Sequence, residues 1–279
     1  MTQDLPEGLP ASRSQEPAGP EGIISVSGLS FRYGGSRQTV LCDLSIEIPA
    51  GEITAVLGPN GSGKTTLLRL LLGLLRPQQG KVLIAGRPQE SYSRRDLSQM
   101  IGLVPQEEHI PFDFSILEYV LMGRAPYLGP LEMPGEEDCR AARAALDTAG
   151  LAHLQDRSLP TLSGGERQLA TVARALAQKP RILLLDEPAA HLDLGNKSHL
   201  LDIMRALAVE GVTQVFTTHD PNLATSVARF AVLIRHGQIL DAGPTEAILT
   251  PEKLSATYGV PVQVFQVDGR RVILLPLYS

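Results

Sequence analysis

The segment Gly58-Pro59-Asn60-Gly61-Ser62-Gly63-Lys64-Thr65 is the strongest indicator of the fold of this 279-residue chain. It has the pattern G-x-x-x-x-G-K-[ST], whose glycines let the backbone curl so that successive N–H groups face an anion. An apolar strand is expected just before it, over residues 53–57, and a leucine-rich helix just after it, as far as residue 75. The order strand, loop, helix directs the positive end of the helix at bound phosphates. The stretch therefore predicts an α/β fold with a phosphate-binding loop.

Two side chains of this loop are expected to contact the nucleotide directly. The Lys64 ammonium should reach the β- and γ-phosphates, and the Thr65 hydroxyl should bind Mg²⁺. Thr66, the next residue, is also expected to bind the nucleotide. A chance glycine-rich turn is the alternative, which the flanking strand and helix disfavour. The loop alone leaves kinases, GTPases and ATPases open.

Two adjacent acids narrow this choice. The apolar run at residues 182–185 is followed by Asp186 and Glu187. Because neighbouring residues on a strand point to opposite sides, the two carboxylates need not share a role. Asp186 suits Mg²⁺, through the ion or its water. Glu187 is then free to polarise the attacking water as a general base.

The segment Leu162-Ser163-Gly164-Gly165-Glu166 precedes a helical pattern and has two interpretations. Ser163 and Glu166 have the spacing of a helix capping box. A helix start with two glycines also leaves its amides open to an anion. The spacing alone does not choose between the two, and both can hold.

The composition restricts the class of protein. The chain is 43% hydrophobic with a net charge of −5, which argues against broad nucleic-acid binding. Its densest apolar run, residues 67–75, is shorter than the ~20 residues that cross a bilayer. Residues 1–22 are rich in Pro, Gly, Ser and acids, lack an apolar signal segment and are expected to be a disordered extension.

The remaining pattern predicts one main domain over residues 23–250. Strands are expected at residues 23–31, 40–48, 81–85 and 100–104, and again at 181–185, 213–217, 230–234 and 238–240. Residues 107–178 between the two groups are mainly helical in pattern, most clearly at 136–149. Residues 251–279 form a C-terminal extension, expected to pack on the domain and to contain a short hairpin.

From residue 23 to about 249, the sequence resembles the ABC ATPase family. Residues 162–166 are similar to its signature motif, with Glu166 as a common variant of the usual Gln. The resemblance implies a mixed central sheet, an antiparallel N-terminal β-subdomain and an inserted helical subdomain. It also implies a head-to-tail homodimer in which each ATP lies between one subunit's phosphate loop and the other's signature. Ser163, Gly164, Gly165 and Glu166 would then act on the partner's ATP.

Smaller features of that family have counterparts here. The resemblance implies that Tyr33 stacks on adenine, that Gln106 contacts Mg²⁺ or water and senses a membrane partner, and that His219 contacts the γ-phosphate. Asp193 matches the aspartate of the D-loop. Ala189, in the same loop, departs from the usual Ser or Thr, which puts any hydroxyl-dependent step there in doubt.

Three segments resemble ATPase subunits of importers for ferric siderophores, haem and cobalamin. They are residues 120–127, the acidic run 136–138, and residues 249–260. The resemblance implies a peripheral location on the cytoplasmic face of the membrane. It also implies transmembrane permease subunits as partners, with an extracytoplasmic substrate-binding protein acting through them. Nucleic acid is not an expected partner. The alternatives are the ATPase subunit of another ABC transporter, including an exporter, and a soluble ABC ATPase. The single phosphate loop argues against tandem-cassette forms of the latter.

Overall fold

The computed structural model of the chain describes residues 22–35, 38–108, 112–190 and 192–276. The expected disordered extension lies outside the described residues, except for Gly22. The strands are β1 (Gly22–Phe31), β2 (Leu41–Pro49), β3 (Ile53–Leu57), β4 (Gln79–Ile84), β5 (Arg87–Pro88), β6 (Ile101–Val104), β7 (Ile182–Leu185), β8 (Thr213–Thr218), β9 (Phe230–Arg235), β10 (Gln238–Pro244), β11 (Gln263–Val267) and β12 (Arg270–Leu274). The α-helices are α1 (Lys64–Leu71), α2 (Arg94–Met100), α3 (Ile116–Leu121), α4 (Glu136–Thr148), α5 (Gly164–Ala177), α6 (Leu194–Val209), α7 (Pro221–Val227), α8 (Thr245–Ile248) and α9 (Pro251–Tyr258).

A six-stranded mixed sheet forms the centre, in the order β10-β9-β3-β8-β7-β6. All neighbours are parallel except β9 and β10. Every residue of β3, β7 and β8 is buried, as expected for parallel strands covered on both faces. Because parallel strands end at the same edge, the loops that follow β3, β7 and β8 meet there. The expected α/β class and mixed sheet are confirmed.

A second, antiparallel sheet has the order β2-β1-β4-β5. Its inner side chains form one apolar cluster with α1 and with one face of the central sheet, including Ile24, Leu41, Val56 and Leu70. The other face of the central sheet contributes to a second cluster with α3, α4 and α5, including Tyr119, Leu146 and Val172. The phosphate loop therefore starts from a strand that is packed on both sides.

Helix α1 ends at Leu71, so the expected continuation to residue 75 is wrong. The backbone leaves the helix at Gly73, whose φ of +77° is the left-handed conformation that glycine tolerates best. The Gly73 N–H donates to the Leu70 carbonyl, and the Leu74 N–H donates to the Arg69 carbonyl. This pair of bonds is a Schellman motif, which ends helices irrespective of how apolar the following residues are.

The C-terminal segment contacts the central domain through α7. Strands β11 and β12 form an antiparallel hairpin, with Val264 opposite Ile273. Asn222 on α7 fixes this hairpin, since its amide donates to the Ile273 carbonyl at 2.9 Å and accepts from the Ile273 N–H at 2.8 Å. Among the described helices, none has the length and apolar character that crossing a membrane requires.

Candidate nucleotide-binding and catalytic site

The phosphate loop connects β3 to α1 and holds its shape through close backbone contacts. Gly63 caps α1 with φ +103°, and a side chain there would strike Leu41. A Cβ on Gly58 would lie 2.1 Å from the Ile234 carbonyl oxygen, so only glycine fits. Pro59, Asn60, Gly61 and Ser62 complete the turn, and the Ser62 carbonyl accepts from the Gly237 N–H. The loop is thus pressed against the end of β9.

Lys64 lies at the centre of the site and is only 6% exposed. Its ammonium donates to the Gly58 carbonyl at 2.9 Å and to the Pro59 carbonyl at 3.3 Å. Its third neighbour is the Glu187 carboxylate, with Oε1 at 3.3 Å. The two loop carbonyls orient the lysine, and Glu187 balances its charge in a buried setting.

The two acids after β7 both face the phosphate loop, but they contact different residues. Asp186 Oδ1 accepts a hydrogen bond from the Thr65 hydroxyl at 3.1 Å. The expected alternation of side chains along a strand does not apply to these two acids, because β7 ends at Leu185 and Glu187 has φ +48°. A positive φ is unusual for a residue other than glycine and marks a backbone held in place by its surroundings. Here it directs Glu187 toward Lys64.

His219 follows β8 and contacts the same glutamate. Its Nδ1 lies 2.9 Å from Glu187 Oε2, so each carboxylate oxygen of Glu187 has a separate partner. The His219 side chain is 56% exposed, whereas that of Glu187 is 8% exposed. The rest of the imidazole ring is therefore open to a ligand, while its Nδ1 orients the buried carboxylate of Glu187.

Sequence reasoning missed Thr217, which is fully buried at the end of β8. Its hydroxyl donates to Asp186 Oδ1 at 2.7 Å and accepts from the Glu187 N–H at 2.9 Å. One side chain therefore holds both acids. The available signal was a threonine two residues before His219, directly after the apolar pair Val215 and Phe216.

Tyr33 lies beside the start of α1. Its hydroxyl is 3.2 Å from the Thr66 hydroxyl, and its ring packs edge-on against Phe31 with centroids 4.9 Å apart. The side chain is 37% exposed. An exposed aromatic ring fixed next to the phosphate loop can stack on a planar base.

Gln106 belongs to the loop after β6 and lines two adjoining clefts. Thr65 and Asp186 line the first with it. Gly164 and Glu187 line the second. Gln106 therefore lies between two parts of the site. One part contains Thr65 and Asp186, and the other contains Gly164 and Glu187.

The signature residues form the start of α5 and contact neither Lys64 nor Thr65 in the described part of this chain. The Glu166 N–H donates to Ser163 Oγ at 3.2 Å, and the Ser163 N–H donates to Glu166 Oε2 at 2.8 Å. The capping interpretation is therefore correct. These bonds lower the pKa of Glu166, the Ser163 N–H having the largest effect. Gly164 and Gly165 follow within the first turn, where α6 comes so close that a Cβ on Gly165 would meet Asn196.

Asp193 also caps a helix. Its carboxylate accepts from the Asn196 N–H at 2.8 Å at the start of α6, and its residue surface is exposed. Asp193 and the signature residues therefore lie on the same exposed surface, whereas Lys64, Thr65, Asp186, Glu187 and His219 converge on one site.

Comparison with known proteins gives consistent matches. The family model described as "ABC transporter" matches residues 41–190. A hemin import ATP-binding protein of Gloeobacter violaceus is 39% identical over 251 residues, covering 88% of this chain and 90% of that protein. A molybdate import ATP-binding protein of Haemophilus influenzae is 40% identical over 260 residues, covering 92% and 97%. A solved inward-facing metal-chelate type ABC transporter has a chain that is 38% identical with a TM-score of 0.80, covering 92% of this chain and 98% of that one.

Proposed function

Since this chain belongs to the ABC transporter family and is an ATPase of that family, we propose that it energises the import of a metal-chelate compound of the siderophore, haem or cobalamin type. The observation that carries the catalytic part is the contact of Glu187 with Lys64 on one oxygen and His219 on the other. The import part is supported by relatives named as import proteins that match along almost the whole chain.

In the proposed mechanism, Glu187 orients and polarises the water that attacks the γ-phosphate. His219 fixes the Glu187 carboxylate and contacts the transferred phosphoryl group from its exposed side. Lys64 gives up its contact with Glu187 and binds phosphate oxygens instead. The amides of the phosphate loop stabilise the charge that develops during transfer. Tyr33 supports the adenine.

Mg²⁺ fits the residues present. Thr65 Oγ1 and Asp186 Oδ1 lie 3.1 Å apart, with the Gln106 loop lining the same cleft. Hydroxyl, carboxylate and amide oxygens are the ligands that Mg²⁺ prefers, together with phosphate oxygens. Thr65, Asp186 and Gln106 would hold the ion, which would neutralise charge on the phosphates.

A second copy of the chain is the proposed partner for the nucleotide. The signature residues lie at an exposed helix start. A helix start with free amides binds anions. Leu194, beside Asp193, is 87% exposed and would be covered by the second copy. A head-to-tail dimer would bring this surface against the partner's phosphate loop.

Permease subunits are proposed to dock on a groove of about 770 Å³ between α2, the segment Met122–Tyr127 and α5. Leu74 on its edge is 66% exposed. The segment is held rigidly because buried Arg124 donates to Asp138 at 2.8 Å and to the Ala177 carbonyl at 2.9 Å. Such docking would keep the chain on the cytoplasmic face of the membrane, with a substrate-binding protein acting through the permease.

The function is tested by isolating the chain with the membrane subunits that co-purify with it and reconstituting them in proteoliposomes. ATP-dependent uptake is then measured in parallel for a ferric siderophore, haem, cobalamin and molybdate. Uptake of one of the chelates is expected. Transport in the outward direction, or the failure of any membrane subunit to co-purify with the chain, would contradict the proposal.

A further inference from the structure

Glu108 lies two residues after Gln106, and its two carboxylate oxygens accept hydrogen bonds from two different helices. Oε2 accepts from the Tyr119 hydroxyl on α3 at 2.6 Å. Oε1 accepts from Arg174 Nη1 on α5 at 2.6 Å. The Glu108 and Arg174 side chains are 29% and 21% exposed, so this is not a fully solvated ion pair. None of the three residues has a role in the phosphate chemistry described above.

The three side chains form one connected group. The Arg174 guanidinium lies 5.0 Å from the centre of the Tyr119 ring, within cation–π range. Tyr119 is 1% exposed, and burial raises the pKa of its hydroxyl far above the usual value, so the proton remains available to Glu108. A buried hydroxyl needs a partner. Glu108 supplies the shorter bond, and Thr171 Oγ1 lies farther away at 3.2 Å.

Helix α5 is attached to the central sheet at its C-terminal end. The Gln178 amide, just past its end, donates to the Ile101 carbonyl of β6 at 2.8 Å. The segment Met122–Tyr127 packs closely against α5, since a Cβ added to Gly123 would lie 2.1 Å from the Arg174 carbonyl oxygen. Glu108 adds a third attachment from the loop that carries Gln106. From Arg174 the helix continues for about 15 Å, at 1.5 Å per residue, to its start at Gly164.

We infer that Glu108 is a positioning residue that, through Arg174 and Tyr119, fixes α5 relative to Gln106 and so sets where the signature residues meet the second copy's ATP. A small rotation of a helix about its fixed end displaces its far end most. A displacement of the loop at Gln106 therefore moves the signature through Glu108, and loss of this bond uncouples the two. This inference rests on the proposed function, because it concerns the ATP site shared by two copies.

The test uses the full-length chain and two measurements. Glu108→Gln and Arg174→Gln are each expected to lower kcat for ATP hydrolysis about 5- to 10-fold, the scale of a typical coupling between sites. Each is also expected to leave the affinity of the isolated subunit for ATP, measured by calorimetry, within about twofold, because the phosphate loop is untouched. The double variant should be no slower than the slower single variant, since both remove the same bond.

The charge-reversed pair Glu108→Arg with Arg174→Glu separates positioning from a general loss of structure. It should recover most of the kcat lost in Glu108→Arg alone. The matched control is Glu136→Gln, which removes an exposed ion pair with Arg140 on α4 and should not change kcat.

Wild-type kcat in both single variants, or a loss of ATP affinity equal to the loss of kcat, would overturn the positioning role. Failure of the charge-reversed pair to recover any activity would also count against it. A wild-type chain without ATPase activity would instead refute the proposed function.

Discussion

The Glu187 carboxylate lies 3.3 Å from the Lys64 ammonium, and both side chains are almost completely buried. The general-base candidate and the phosphate-binding lysine thus neutralise each other across the site. A phosphate group that takes Lys64 must displace Glu187 from it, and this displacement leaves the carboxylate next to His219, where it can act on water.

Glu187→Gln should abolish most turnover while strengthening ATP binding. Gln cannot accept a proton, and it no longer competes with phosphate for Lys64. We expect kcat to fall at least about 100-fold, as when a general base is lost, and the dissociation constant for ATP to fall. Steady-state hydrolysis and calorimetry measure the two effects, and size-exclusion chromatography with ATP should show a trapped dimer. Near-normal hydrolysis would remove Glu187 from the mechanism.

Lys64→Ala should weaken ATP binding and destabilise the chain without ligand. It leaves Glu187 buried with His219 as its remaining ionisable partner, which we expect to cost about 1–3 kcal/mol in urea unfolding. The double variant Lys64→Ala with Glu187→Gln removes the stranded charge and should regain part of that stability without regaining affinity. Unchanged ATP affinity in Lys64→Ala would contradict the assigned role.

Thr217→Val should impair catalysis through Asp186 and Glu187 together. It removes the hydroxyl that bonds Asp186 Oδ1 and the Glu187 N–H, leaving a buried N–H unpaired at a cost of about 1–3 kcal/mol. We expect both lower stability and lower kcat. Thr217→Ser retains the hydroxyl and is the control. Equal kcat in the valine and serine variants would show that the bond does not position the acids.

Tyr33→Ala should lower the affinity for ATP about 10-fold, because base–aromatic stacking contributes about 1–3 kcal/mol. Tyr33→Phe keeps the ring and loses only the contact with the Thr66 hydroxyl, so its affinity should stay close to that of the wild type. Calorimetry with ATP and with inorganic triphosphate distinguishes stacking from phosphate binding. A similar loss of affinity for both ligands would argue against stacking.

The stability contributed by Glu166 should depend on pH. The Ser163 N–H and hydroxyl lower the pKa of Glu166 in the folded chain, so the carboxylate form is favoured by folding. The contribution is therefore complete above the unfolded-state pKa of about 4.3 and decreases as the pH falls through the lower folded-state value. Urea unfolding between pH 7 and pH 3 should show the stability difference from Glu166→Gln shrinking at the acid end. A stability difference between the wild type and Glu166→Gln that grows toward low pH would contradict this prediction.

The local features of the site were predictable because they depend on residues adjacent in sequence. The phosphate loop needs only a strand, a turn with glycines at Gly58 and Gly63, and a helix that begins at Lys64. The capping bonds of Ser163 and Glu166 are likewise a matter of spacing. The end of α1 was not predictable from apolar content, since a Schellman turn at Gly73 ends the helix within a leucine-rich run.

The α/β class, the phosphate loop and the likeness to ABC ATPases could all be predicted from the sequence, because each of these depends on short motifs in a fixed order. Which side chains meet depends instead on how the strands are arranged in space. The sheet order places β3 beside β8, with β7 on the other side of β8, and so brings Thr65, Asp186 and Thr217 within hydrogen-bonding distance. The positive φ of Glu187 then directs it to Lys64. Contacts between distant parts of the chain depend on strand order and backbone conformation, which no local pattern specifies.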